Sequence, residues 1–302
     1  MLTVTLALGT SVCYGVSNFI GPQLARRHSL VAVLVFGQLA ALGACVLYLA
    51  VAGGAMLPAA DTWLAVLAGT GNAGGLIWFY KAAEVGPLSV VTPIGASGAV
   101  VPVAWGLASG EALGAAQVVG IALAMGGAAV VAQRASVRSL PRRDAAAHRG
   151  AAAHHGAAAP HDAAAHQDAR AAVVWASASA LAFGVFLTAL PKASAHGVAW
   201  ALLDARLALV TVIFLWARRE LPAIRPGRAS ALMAVPGVLL IAGTAMYTVA
   251  ARGHHLALAA VLGSLFPVVT VGLGLALLGE RMSPVQAAGA GAALAGVVLI
   301  AA

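Results

Sequence analysis

Gly263-Ser264-Leu265-Phe266-Pro267-Val268-Val269-Thr270, then Leu277-Leu278-Gly279-Glu280-Arg281-Met282-Ser283-Pro284, then an Ala/Gly-rich apolar run to Ala302: this closing stretch decides the fold. It reads as apolar segment, short polar break, apolar segment, and it has an upstream copy. Gly110-Glu111 matches Gly279-Glu280 at an offset of 169 residues, and Gln117, Gly120 and Gly127 match Gln286, Gly289 and Gly296 at the same offset. Further back, Gly15 pairs with Gly184 and Pro22 with Pro191 at 169, and Gln38 with Arg206 at 168. An in-phase pattern over the whole chain is one unit written twice.

The composition says where that unit lives. Of 302 residues, 62% are hydrophobic and only 9% charged, and the mean hydropathy is +0.95. A soluble domain carries about 25% charged residues, so this chain belongs in a bilayer. The net charge of +8 does not point to nucleic acid, because Lys and Arg lie between apolar runs rather than on a folded basic surface. Cys13 and Cys45 fall inside apolar runs and read as buried thiols, not as a disulfide framework. No Lys or Arg precedes the first apolar run, which reads as a span rather than a cleaved signal.

A spanning helix needs about 20 mostly apolar residues. Ten segments meet that length: Leu2–Ile20, Leu30–Ala52, Thr62–Ala83, Pro87–Ala108, Leu113–Gln133, Ala171–Leu190, Val198–Ala217, Ala229–Ala251, Leu256–Leu278 and Pro284–Ala302. Breaks are expected at Gly21-Pro22, Gly53-Gly54, Gly86-Pro87, Gly110-Glu111, Pro191-Lys192 and Arg218-Arg219-Glu220. The fold class expected is therefore an all-α integral membrane protein, with ten transmembrane helices as two five-helix repeats, residues 1–133 and 171–302. An odd number of spans per unit makes the second copy enter the membrane upside down, an inverted repeat of the kind transporters use around a mid-membrane site.

Residues 134–170 between the copies are rich in Ala, His, Arg, Asp and Gly, without apolar periodicity, and are expected to be a disordered linker. Its histidines (His148, His154, His155, His161, His166) lack a defined ligand spacing with Cys partners, so no metal and no cofactor is expected. Fourteen of the 17 Lys and Arg residues fall after odd-numbered spans, two after even-numbered ones, and Arg206 lies inside a span. The positive-inside rule then predicts a cytoplasmic linker and both termini outside, in the cytoplasmic membrane.

Intramembrane polar groups are the site candidates. Arg206 lies about nine residues, roughly 14 Å, into its span, where a charge costs about 2.5 kcal/mol or more and must face a cavity or a partner. It lines the solute path or is a structural Arg held by carbonyls. Asp204 is about 200° away around the same helix and cannot share its face. Gln38, Asn18 and Asn72 are pathway candidates or interhelical glue. Trp78-Phe79-Tyr80 and Tyr247 read as interface aromatics or as rings on the path. Lys81 and Glu84 are spaced to pair on one helix face; Glu84 and Asp204 are the acidic groups near membrane depth that coupling would use. Pro93, Pro102 and Pro267 predict kinks. No catalytic motif is present, so no enzyme is expected.

The runs quoted at the outset, with Tyr80-Lys81-Ala82, Gly86-Pro87-Leu88-Ser89-Val90-Val91 and Gly110-Glu111 in the first half, resemble the ten-span EamA-type transporters of the drug/metabolite transporter superfamily. The resemblance implies a helical bundle in which spans 1–4 and 6–9 surround a cavity while spans 5 and 10 pack outside. It implies alternating-access transport of a small organic metabolite or drug-like solute, in the export direction, by a monomer or homodimer in contact with lipid and without nucleic acid. A non-transporting membrane scaffold or subunit is the alternative. The Arg frequent in the second span of such halves is met by Arg206, with Gln38 in its place in the first half. Two features depart from the family pattern: Ser97-Gly98 stands where the second half has Phe266-Pro267, and both termini are often cytoplasmic in the family.

Overall fold

The structure is a computed structural model that describes residues 2–85, 94–95, 97–111, 113–138, 160–219, 221, 224, 227, 229–252, 255–278 and 284–301. Every extended element among them is a helix: α1 (Leu2–Arg27), α2 (Leu30–Ala52), α3 (Ala59–Val85), a 3-10 turn (Ser97–Ala99) leading into α4 (Val100–Ala108), α5 (Ala115–Arg138), α6 (Pro160–Ala193), α7 (Val198–Ala217), α8 (Ser230–Ala250), α9 (Leu256–Gly263), α10 (Phe266–Leu278) and α11 (Pro284–Ala301). Helices are what an apolar medium demands, since each closes its own backbone hydrogen bonds. Local chemistry sets their ends. The Ser29 side chain accepts from Ala32 N–H to cap α2, and Gly53, at φ 64°, closes it by donating its N–H to Leu49 O at 2.8 Å.

Among the described residues six helical stretches are long and apolar enough to cross a membrane: Leu2–Gly21, Val31–Ala52, Arg170–Ala193, Val198–Ala217, Ser230–Ala250 and Leu256–Leu277. Shorter apolar helices cover Ser97–Ala108, Ala115–Gly127 and Ala287–Gly296. Large apolar side chains stand exposed along these helices, among them Leu47, Trp63, Leu181, Leu215 and Val298, as a lipid-facing surface requires. The protein is a multi-pass membrane protein.

Several expected boundaries move. Helix α1 runs through Gly21-Pro22 to Arg27, and α6 runs through Pro191 to Ala193, so neither proline ends its helix. Each lies within the last six residues, where the turns before it are already formed. The expected linker is helical at both margins, because α5 continues to Arg138 and α6 begins at Pro160; residues 139–159, with His148, His154 and His155, lie outside the described residues. Pro267 does not kink a continuous helix. The chain breaks at Ser264-Leu265, the Ser264 hydroxyl donates to Val261 O at 2.8 Å, and Pro267 falls in the first turn of α10, where its missing N–H costs nothing. The first half breaks about two residues past the corresponding place: Ser97 Oγ donates to Ile94 O at 2.6 Å, and Pro102 sits in the first turn of α4. Pro93 lies outside the described residues.

Contacts between elements recur in pairs. Helix α3 packs on α6 as α1 does on α8; α3 on α7 as α2 on α8; α4 on α6 as α1 on α9 and α10. Three pairings are their own counterparts: α2 with α7, α4 with α9, and α5 with α11. Exchanging the halves leaves this pattern unchanged. It holds at single residues too. Thr10 Oγ1 donates to Gly243 O at 3.1 Å, and Ser179 Oγ, 169 positions on from Thr10, donates to Gly75 O at 2.8 Å, 168 positions back from Gly243. Gly69 lies against Ala205 O and Gly237 against Gly37 O so closely that a Cβ at either glycine would strike the facing carbonyl. Such contacts let helices approach and gain dispersion energy where lipid supplies no hydrophobic drive. One apolar core gathers around Tyr247, Val261 and Leu262, a second around Ala41, Leu190 and Leu202; the site lies beside the second.

Candidate functional site

Helices α2 and α7 cross at Gln38 and Arg206, which are mates in the internal repeat. Gln38 is 3% exposed and Arg206 4%, and Arg206 Nη1 donates to Gln38 Oε1 at 2.5 Å. A residue and its mate touch only where the two halves face each other. The same guanidinium interacts with Cys45 and Tyr14, and the Cys45 thiol donates to Leu202 O at 3.8 Å. No carboxylate lies within 4.0 Å of it among the described residues, whose one ion pair of that kind is His196 with Asp61 at 2.6 Å. A buried cation is thus held by a neutral amide.

Beside it lies a cavity of only about 10 Å³, room for about one water molecule, lined by Gly69, Asn72, Phe186, Leu190, Leu202, Ala205, Arg206, Leu209, Ile241 and Thr244. Small-molecule sites run to roughly 300–1,000 Å³, so in this conformation the site is drawn closed. Four helices build it. Helix α3 brings Asn72, α6 brings Phe186 and Leu190, α7 brings Arg206, and α8 brings Thr244. The Thr244 hydroxyl donates back to Leu240 O at 2.8 Å and lies 3.0 Å from Tyr14 Oη on α1. Apolar walls with a few convergent polar groups are the usual make-up of a solute site.

The remaining candidates lie elsewhere. Asp204 is half-buried and hydrogen-bonded to Thr62 near the start of α3, away from the cavity lining. Asn18 is exposed, on the side of α1 shared by Ser11 and Gly15, which touch α9 and α10. Tyr247 is neither an interface aromatic nor a cavity ring: it is 1% exposed in the core, and its hydroxyl donates to Leu187 O at 2.7 Å, joining α8 to α6. Trp78 is half-buried against Gly74 and does not line the cavity. Lys81 is exposed and stands over the Trp175 ring, 5.1 Å from its centroid; the side chains of Glu84 and Tyr80 lie outside the described residues, as do those of His161 and His166. Among the described residues no three His, Cys, Asp or Glu groups are placed to hold a metal ion.

Two site residues escaped the sequence reading, Tyr14 and Thr244. A signal existed. Tyr14 has Phe183 as its mate at 169, while Thr244 and Asn72 have Leu76 and Leu240 at 168. Polar groups at the cavity are those whose mates are apolar, as Arg206 is charged where Gln38 is not.

Away from the cavity, Glu111 is buried, and its Oε2 accepts from Ala257 N–H at 3.0 Å, capping the first turn of α9 from the loop after α4. His196, in the loop between α6 and α7, meets Asp61 of α3, while Trp200 Nε1 donates to Gly54 O at 3.1 Å and Arg252 to Ala195 O at 2.9 Å. The first two contacts fasten the halves at the end that carries the loops after α2, α6 and α8, and the third ties two loops of the second half together there.

Residues 170–302 match the EamA-like transporter family. A solved structure described only as "Crystal structure of protein" shares the fold, with a TM-score of 0.71 at 17% identity over 98% of this chain and 95% of that one. No curated protein matches the sequence.

Proposed function

From the match of residues 170–302 to the EamA-like transporter family, we propose that the chain is a secondary active transporter of the drug/metabolite transporter superfamily. It carries a small organic metabolite or drug-like solute across the cytoplasmic membrane, outward. The observation behind this reading is the Arg206–Gln38 pair, buried at the meeting of the halves beside a cavity that both halves line. Ten spans in two inverted five-helix repeats are supported by the exchange pattern of the helix contacts and by the in-phase sequence match. The touching mates, Gln38 and Arg206, lie at the axis relating the halves. Rocking of one half against the other opens the closed cavity alternately to each side. The Lys and Arg distribution supports a cytoplasmic position for residues 134–170, with the ends outside.

The test is solute flux in proteoliposomes holding only this chain. Saturable counterflow that falls by at least about tenfold in Arg206→Ala, with thermal unfolding still cooperative, is the expected result. Absence of flux for every solute that shifts the unfolding temperature sinks the transport reading and leaves a binding or scaffolding protein.

A further inference from the structure

We infer that the solute taken at this cavity carries an anionic head group, a carboxylate or a group of like charge and shape, and that organic cations are rejected; the inference rests on the transport reading above. The guanidinium is 4% exposed and donates to the neutral Oε1 of Gln38. A cation taken out of water needs an opposite charge or a full set of acceptors, and among the described residues no carboxylate lies within 4.0 Å of it. Of the described carboxylates, Asp61 is engaged with His196, Glu111 with Ala257 N–H, and Asp204 with Thr62. Glu84 is 12 positions along α3 from Asn72, about 18 Å at 1.5 Å per residue. The described residues thus leave the opposite charge to be supplied by the solute.

The rest of the lining fits a carboxylate on an apolar body. Arg offers a planar fork of donors that matches a carboxylate in two bonds, and Asn72 adds an amide donor. Phe186, Leu190, Leu202, Leu209 and Ile241 provide walls with no polar side chain. An ammonium group placed here would face a like charge in a medium that screens it poorly.

The experiment uses the full chain purified in detergent and matched probes that share one body: 3-phenylpropanoate, 3-phenylpropanamide and 3-phenylpropylammonium, with 4-methylpentanoate and its amide and amine as a second series. Chloride is titrated separately. Thermal unfolding reads binding, and counterflow of labelled probe in proteoliposomes reads transport. The carboxylates raise the unfolding temperature, with affinity at least about tenfold above the amides, and the ammonium members do not. Arg206→Gln weakens the carboxylates by about 30-fold or more, whereas Arg206→Lys keeps the order of preference with weaker binding. Should Arg206→Gln fail to fold, the wild-type series and Arg206→Lys still decide the matter. Stabilisation by the ammonium probes, by chloride alone to the same degree, or by none of the carboxylates overturns the inference. Carboxylate binding without flux leaves the anion site standing and defeats the transport reading; flux of the ammonium probes does the reverse.

Discussion

Arg206 and Gln38 show how a polar contact deep in the bundle is shared by two halves. The guanidinium loses water on burial and recovers a bond from a side chain that is itself 3% exposed. Removing the acceptor strands a donor, which costs about 1–3 kcal/mol and more for a charged group. Gln38→Leu is therefore expected to lower stability by at least that much, and Arg206→Leu to lower it as well. The double variant should be less damaged than the two effects added, with a coupling of about 0.5–3 kcal/mol. Chemical unfolding in detergent measures this cycle, and strict additivity would show that the contact does not organise the site. Tyr247 makes the contrast. Tyr247→Phe removes one hydroxyl bond to Leu187 O, costing about 1 kcal/mol, and counterflow should survive it because the ring never reaches the cavity.

At the scale of elements, close approach of backbones decides which helices pair. The α3–α7 and α2–α8 crossings rest on Gly69 against Ala205 and on Gly237 against Gly37. Gly237→Val or Gly69→Val has no room, and prying the helices apart costs about 1–3 kcal/mol or more. The controls are Gly43→Val in α2 and Gly272→Val in α10, where nothing lies within 4 Å of an added Cβ. Thermal unfolding in detergent should separate the two pairs of variants by several degrees; equal losses would mean that general helix propensity, not the crossing, sets the cost. The interrupted spans belong here as well. The break at Ser264-Leu265 and the 3-10 turn at Ser97–Ala99 interrupt the same span of each half about two residues out of register, although the first half has no Phe-Pro step. A serine that bonds back three residues and a proline in the first turn of the following helix are common to both breaks.

For the whole molecule, the testable statement is its direction in the membrane. With Cys13 and Cys45 replaced by Ala, single cysteines at His196, whose side chain is 66% exposed, and at Arg219, also exposed, probe opposite ends. A membrane-impermeant maleimide applied to intact cells should label position 196 and spare 219. Labelling of 219 alone turns the protein over and puts the His196–Asp61 contact on the cytoplasmic face. The closed cavity also belongs to this scale. Contacts such as His196 with Asp61 and Trp200 with Gly54 O join the halves at one end, and those bonds must part if that end opens.

The chain by itself determined a lipid-embedded helical protein written as a doubled unit, because 9% charge cannot cover a water-facing surface and an offset of 168 to 169 runs from Gly15 to Gly296. It also marked Arg206 and Gln38, since an ionised group inside an apolar run is costly enough to need a reason. That these two mates bond to each other, that Tyr14 and Thr244 join them, and that Tyr247 is core rather than belt was decided only by tertiary structure. Hydropathy records how polar a position is, not which way it faces, and facing is fixed by helix crossings between residues far apart in the chain. Those crossings turn on the fit of one glycine against one carbonyl, which no periodicity along the chain encodes.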